Sequence, residues 1–258
     1  MPNAGTPPHT KTADALALPR AGRVLLGLQR EVDRLLSPLT ALSTALTLRF
    51  GFGFRIEAGE EVRRRYRQIA DEPGPILICA NHLTMIDSFL IGWALGHPLY
   101  YVRRFSRLPW NVPERSIFAS NLPLRLFAYV FKCIPVVRGG RRVEVAKSLA
   151  RVVHTLRRGE TTLLFPEGGR SRSGRVELEN AAPGVGRIFR AVPGCRVLCV
   201  YLRGRRQTSF SAVPARRDRF QVAMRLMEPK TEDTGLRASR EVARQITATL
   251  IEMEQALS

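Results

Sequence analysis

The stretch that most restricts what this chain can fold into runs Pro75-Ile76-Leu77-Ile78-Cys79-Ala80-Asn81-His82-Leu83-Thr84-Met85-Ile86-Asp87. Ile76 to Ala80 is an unbroken apolar run bounded by Pro73-Gly74-Pro75, which reads as a strand buried on both faces of a largely parallel sheet. Asn81 and His82 then stand at its carboxyl end. In open α/β sheets ligands bind along that edge, because strand ends and the amino termini of the following helices converge there. The expected fold class is therefore α/β, a mostly parallel central sheet flanked by helices.

His82 and Asp87 are five residues apart, so a continuous helix would hold them roughly 140° from one another. They meet only if His82 occupies the strand-to-helix turn and Asp87 the first helical turn. Thr84, three residues before Asp87, has the spacing of a capping box that would start a helix there. Asp87 then has two readings. It satisfies amide donors at a helix start, or it accepts from one ring nitrogen of His82 and leaves the other as a general base near neutral pH.

A second apolar strand, Thr161-Thr162-Leu163-Leu164, runs into Phe165-Pro166-Glu167-Gly168-Gly169-Arg170-Ser171-Arg172-Ser173-Gly174. Glycine admits the positive φ values that aim successive amides at one spot, and guanidinium groups supply planar forked donors suited to phosphate. This loop reads as an anion cradle.

Together, Asn81-His82-x-x-x-x-Asp87 and Phe165-Pro166-Glu167-Gly168-Gly169-Arg170-Ser171 resemble the 1-acylglycerol-3-phosphate acyltransferase family, within the glycerolipid acyltransferases. Between them, Ile134-Pro135-Val136-Val137-Arg138-Gly139 is similar to that family's arginine-containing block. Val197 to Leu202 is loosely similar to its fourth, hydrophobic block. The resemblance covers roughly residues 70 to 205. It implies that His82 is the base and Asp87 its partner, and that Arg138, Glu167, Gly168, Gly169 and Arg170 bind the acceptor's phosphate or order its pocket. It further implies transfer of a fatty acyl group from acyl-CoA or acyl-carrier protein to the free hydroxyl of a lysophospholipid. The leading acceptor is 1-acylglycerol-3-phosphate, giving phosphatidic acid, and a different lysolipid is the alternative. Neither a metal nor a cofactor beyond the thioester donor is expected. The chain departs from the family at Gly169, where threonine is usual, at Glu179-Asn180-Ala181-Ala182-Pro183-Gly184, and in lacking a proline in the fourth block. These departures bear on the acceptor rather than on acyl transfer.

A formal net charge of +19 over 258 residues calls for an anionic partner. The arginines alternate with leucines and form no nucleic-acid recognition pattern, so a membrane surface with anionic lipids is expected and nucleic acid is not. From Ala21 to Phe54 leucines recur at helical spacing, interrupted by Pro38, which suggests two helices. The uncharged run Leu35 to Leu48 would span about 21 Å as a helix against a hydrocarbon core of about 30 Å. Such a segment lies in the interface, or packs on the domain's own core, rather than crossing. Arg63, Arg64, Arg65 and Arg67, with Arg103-Arg104-Phe105-Ser106-Arg107-Leu108-Pro109-Trp110, read as a lipid-facing rim.

The organisation expected is a disordered tail (1–20), an amphipathic helical membrane-association segment (21–70), a catalytic domain (71–235) and a C-terminal helix (236–258). Within it, Leu99 to Val102 and Ile134 to Val137 read as strands, Pro123 to Lys132 and Val143 to Arg158 as helices. Phe220 to Leu226 alternates as an exposed edge strand at which the sheet ends. Cys79, Cys133, Cys195 and Cys199 lack zinc-site spacing and read as buried thiols in a reducing compartment. With no apolar signal region at the amino terminus, the expected location is the cytoplasmic face of a membrane, peripheral or monotopic. His9, His97 and His154 have no supporting constellation.

Overall fold

The computed structural model describes residues 16–119 and 121–257. The first fifteen residues of the expected tail, His9 among them, lie outside the described residues. In chain order the elements are α1 (Arg20–Leu46), β1 (Arg55–Ile56), α2 (Gly59–Asp71), β2 (Ile76–Ala80), α3 (Asp87–Leu95), α4 (Pro98–Arg103), β3 (Trp110–Asn111), α5 (Arg115–Ala119), α6 (Leu122–Val130), α7 (Arg142–Arg157), β4 (Thr161–Leu164), α8 (Pro183–Arg190), β5 (Arg196–Gly204), β6 (Arg219–Met227) and α9 (Gly235–Leu257).

The strands form one six-stranded sheet in the order β1-β6-β5-β2-β4-β3. Every neighbouring pair is parallel except β5 with β6. The expected α/β class with a mostly parallel sheet is thus what forms. β2 lies between β4 and β5, and all five of its residues are buried. Leu77 and Cys79 face one core cluster, with Val152, Val153 and Leu156 of α7 and Val242, Ile246 and Leu250 of α9. Ile76, Ile78 and Ala80 face the other, with Tyr66 of α2 and Leu90 and Ile91 of α3. All four cysteines are free and buried. Burial pushes the thiols of Cys133, Cys195 and Cys199 up to about 12, which leaves them protonated at neutral pH.

Several local expectations are corrected. Leu99 to Val102 is helical, within α4. Although tyrosine and valine favour strands, Pro98 opens this helix at its first turn and His97 caps it by accepting from the Leu99 amide at 3.3 Å. Ile134 to Val137 forms no strand: the stretch from Cys133 makes only isolated parallel bridges, Asn111 with Cys133 and Glu114 with Val136, because Pro113 withholds the donor between them that a regular ladder needs. β6 is not the outermost strand, since β1 pairs with its first two residues.

The expected pair of amino-terminal helices is one, α1, with Pro38 inside it and a π-helical turn at Thr47–Gly51. Proline removes the amide that would serve the Arg34 carbonyl, and the Ser37 hydroxyl donates to that carbonyl at 2.9 Å instead. Apart from Leu26, which enters the core, the helix is also turned inside out. Gln29, Asp33 and Ser37, spaced by four, are buried, whereas Leu35 and Leu39 are 80% and 67% exposed and Leu25, Leu28, Leu42 and Leu46 are exposed as well. A polar seam docks α1. Gln29 donates to the carbonyls of Tyr129 and Cys133. Arg30 binds Glu160, which also accepts from Trp110 Nε1 and from Lys132 Nζ. Burial would raise the Glu160 carboxyl, yet Lys132, Arg30 and the indole hold it below its ordinary value. Among the described residues no helix is long and apolar enough to cross a membrane.

Helix α8 packs on α9 through Gly186, where an added Cβ would lie 2.0 Å from the Ser239 carbonyl oxygen. Gly186→Ala is expected to destabilise the fold by about 2–3 kcal/mol. Gly184→Ala, on the same helix with nothing within 4 Å of its new methyl, should instead gain up to about 1 kcal/mol of helix propensity. Urea denaturation of the two variants checks the contrast.

Candidate active site

Because β2 and β4 are parallel with Cys79 opposite Leu164, Asn81-His82 and Phe165-Pro166-Glu167 leave the sheet at the same edge. His82 lies on the turn after β2. Its Nδ1 is 2.9 Å from Asp87 Oδ2, and its side chain is 14% exposed. The same Oδ2 accepts from the amides of Leu83 and Thr84 at 2.6 and 2.7 Å, while Oδ1 accepts from the Thr84 hydroxyl. A carboxylate only accepts, so the pair requires the proton on Nδ1 and leaves the Nε2 lone pair available. Asp87 thus satisfies the turn's amides and orients the imidazole at once.

The capping expectation changes in one respect. The helix starts at Asp87 rather than after Thr84, and Asp87 reaches back over the turn instead of serving as its third helical residue. Thr84 is drawn aside by a parallel bridge to Ser211.

The imidazole lies flat against Phe165, with ring centroids 3.8 Å apart and planes 7° from parallel. Glu167 Oε1 accepts from the His82 amide at 3.3 Å, and the Ser171 amide donates to the His82 carbonyl at 2.9 Å. The two motifs therefore clasp one another through backbone groups. Asn81 ties the turn to the opposite neighbour, exchanging two hydrogen bonds with the backbone of Leu202 on β5. The far end of the glycine-arginine loop is held by Glu254 of α9, which accepts from the Val176 amide at 3.0 Å.

Glu167 is buried, and its Oε2 has no hydrogen-bond partner. Burial pushes its carboxyl up to about 7, with partial offset from the His82 and Glu177 amides. Gly168 has φ of +66°, a conformation that favours glycine, whereas Gly169 needs no such freedom and a Cβ there would meet nothing. Arg138, at the end of the irregular segment beside β3, pairs with Glu114 at 3.1 Å and donates to the Gly168 carbonyl. Burial lowers its guanidinium below the usual arginine value. Arg170 lies over the Phe210 ring, 5.1 Å from its centroid. A cleft of about 340 Å³ borders this edge, lined by Arg138, Phe165, Pro166, Gly168, Pro183 and Gly184 among others.

His82, Asp87, Glu167, Gly168 and Arg138 are thus brought together. Arg170 is directed instead to Phe210. Sequence reasoning missed the stacking role of Phe165, the Asn81 clamp and the Glu114 partner of Arg138. Phe165 and Asn81 had a local signal, being the residues at which each strand ends, but Glu114 had none, because its partner lies 24 residues on.

A family model described as Acyltransferase matches residues 55–203, more than half of the chain. The chain belongs to that family, the glycerolipid acyltransferases, and is an acyltransferase enzyme. None of the curated proteins matches it.

A raised carboxyl pKa favours the protonated folded state, so Glu167 costs stability above about pH 7 and nothing below about pH 4.5. Glu167→Gln keeps a carbonyl acceptor for the His82 amide. It is expected to be more stable than the parent by on the order of 2 kcal/mol at pH 8 and equal to it near pH 4.5. Chemical denaturation of both proteins at the two pH values measures this.

Proposed function

We propose that this acyltransferase moves a fatty acyl group from a CoA or carrier-protein thioester to the free hydroxyl of a lysophospholipid at a membrane surface. The leading acceptor is 1-acylglycerol-3-phosphate, and the product is then phosphatidic acid. The observation that carries the reading is the His82–Asp87 pair, fixed by the turn's own amides and clasped to the loop of Glu167 and Gly168. His82 Nε2 takes the acceptor's hydroxyl proton as that oxygen attacks the thioester carbonyl, and Asp87 stabilises the imidazolium. The tetrahedral intermediate expels the thiolate, which receives the proton from Nε2. No covalent enzyme intermediate is needed, in keeping with the lack of a Gly-x-Ser-x-Gly elbow. The mechanism as drawn uses no metal and no cofactor beyond the donor.

The outward leucines of α1 support membrane association. With Phe50, Leu122 and Leu126, which are 74%, 74% and 61% exposed, they offer apolar side chains beside arginines able to meet lipid phosphates. Peripheral attachment on the cytoplasmic face fits this surface, with anionic lipids rather than nucleic acid as the anionic partner.

One observation favours the second reading, a different lysolipid acceptor. Arg138 is engaged by Glu114 and Gly168 and Arg170 by Phe210, which leaves fewer cations for an acceptor phosphate. Incubation with palmitoyl-CoA and a panel of lysolipids, read by mass spectrometry, separates the two. His82→Ala is expected to lower turnover by about a hundred- to ten-thousand-fold while leaving vesicle binding intact. Full activity in that variant would refute the reaction. Leu35→Ser combined with Leu39→Ser should weaken flotation with anionic vesicles and leave the thermal midpoint unchanged, because neither side chain is buried.

A further inference from the structure

A second cleft, of about 700 Å³, opens between α5, α6 and α7. Four cations line it, Arg115, Arg125, Lys147 and Arg151, against one carboxylate among the described lining residues, Glu144. Elsewhere many arginines of this chain are matched: Arg196 with Glu72, Arg203 with Glu254, Arg205 with Glu57, Arg225 with Glu252. The side chains of the four cleft cations make no hydrogen bond or ion pair with any described residue.

The helix period produces this arrangement. Glu144, Lys147 and Arg151 recur at i, i+3 and i+7 along α7, on the stripe opposite Leu149, Val152 and Val153, which enter the core. Arg151 is only partly exposed. Burial and then the charge of Arg115 both depress its guanidinium. A half-buried cation that feels another cation and makes no ion pair with a described residue is uncompensated until an anion joins it. Guanidinium forks match phosphate oxygens in geometry as well as charge.

We propose that this cleft binds clustered phosphate groups. Two sources present that chemistry: the phosphorylated nucleotide end of an acyl-CoA, and the anionic headgroups of a bilayer. The first rests on the acyl-transfer reading above, whereas the anion site itself does not. Arg115 directly follows Glu114, the carboxylate that holds Arg138 against the Gly168 loop, so an anion drawn to Arg115 sits one residue from that support.

The test titrates the full chain with adenosine 3′,5′-bisphosphate and with inorganic pyrophosphate by calorimetry at low salt. In parallel, flotation is measured with phosphatidylcholine vesicles with and without phosphatidylglycerol. Arg115→Gln combined with Arg151→Gln, and Lys147→Gln alone, are compared with the parent after thermal melts confirm folding. Binding of the bisphosphate weakened about tenfold or more in the double variant supports the site with the nucleotide as source. The Michaelis constant for acyl-CoA should then rise by a similar factor with kcat unchanged. Loss of the phosphatidylglycerol-dependent flotation, with no bisphosphate binding in the parent, supports the site with headgroups as source. The proposal is overturned if the parent binds neither probe, or if both variants bind as the parent does. His82→Ala must keep this binding. A parent that binds phosphate yet transfers no acyl group to any acceptor would sink the proposed reaction and leave the cleft standing.

Discussion

The carboxylate of Asp87 is the interaction on which the candidate site depends. It gathers the His82 ring nitrogen, two consecutive amides and a hydroxyl onto two oxygens, at a position where the strand has ended and the helix has not begun. Those amides would otherwise be buried donors without acceptors, which costs about 1–3 kcal/mol each. The turn therefore cannot keep its shape without the carboxylate, and the carboxylate cannot satisfy the turn without facing the imidazole. Orientation of the imidazole follows from the local folding of six residues. That is why the spacing of five, useless within a helix, works across a turn.

This coupling explains what could be read from the chain. β2, β4 and the residues that end them were legible because burial, strand termination and side-chain chemistry all fall within single short segments. So was the parallel character of the sheet, since Ile76 to Ala80 offers no polar face. What escaped was decided by partners distant in sequence. β1 and β3 have two residues each and exist only because Arg219 and Thr162 present ladder positions to them. Tyr100 and Tyr101 belong to a helix because His97 and Pro98 cap it and the Tyr101 hydroxyl reaches the Gly92 carbonyl. Pro38 did not end α1, because the adjacent serine serves the orphaned carbonyl. The clasp between the two motifs was invisible because it runs through backbone amides rather than side-chain types.

The docking of α1 inverts the usual logic of an amphipathic helix, which buries its apolar stripe and exposes its polar one. Here the buried stripe carries Gln29, Asp33 and Ser37 beside Leu26, with Arg30 half-buried at its margin, and the body answers with Glu160, Lys132 and the carbonyls of Tyr129 and Cys133. Hydrogen-bonded charges of this kind add little net stability over an apolar seam, but they fix one register, since any slip leaves a buried charge unpaired. Asp33 shows how narrow the margin is. Both its oxygens lack hydrogen-bond partners, and burial pushes its carboxyl up to about 7. Such a seam releases the leucines to the outside. A helix held by its polar face can present its apolar face elsewhere without loosening its grip on the domain.

Three connections meet at the carboxyl edge of the sheet, and each is tied to the next. The turn after β2 clasps the loop after β4 through His82, Glu167 and Ser171. That loop is tied to the segment beside β3 by Arg138 at Gly168, and to α9 by Glu254 at Val176. Within this lattice the departures from the family pattern fall at positions of different weight. Gly168 sits in a left-handed conformation, so the loop's path depends on it. Gly169 has ordinary backbone geometry and open space at its Cβ, so a side chain there would alter what the loop presents and not how it runs. Pro183 and Gly184 open α8 and line the cleft beside Phe165, and neither takes part in the hydrogen bonds that hold His82. Changes at these sites reshape the walls of the cleft while the imidazole keeps its position. Side chains at these positions can therefore vary in this chain without cost to the orientation of His82.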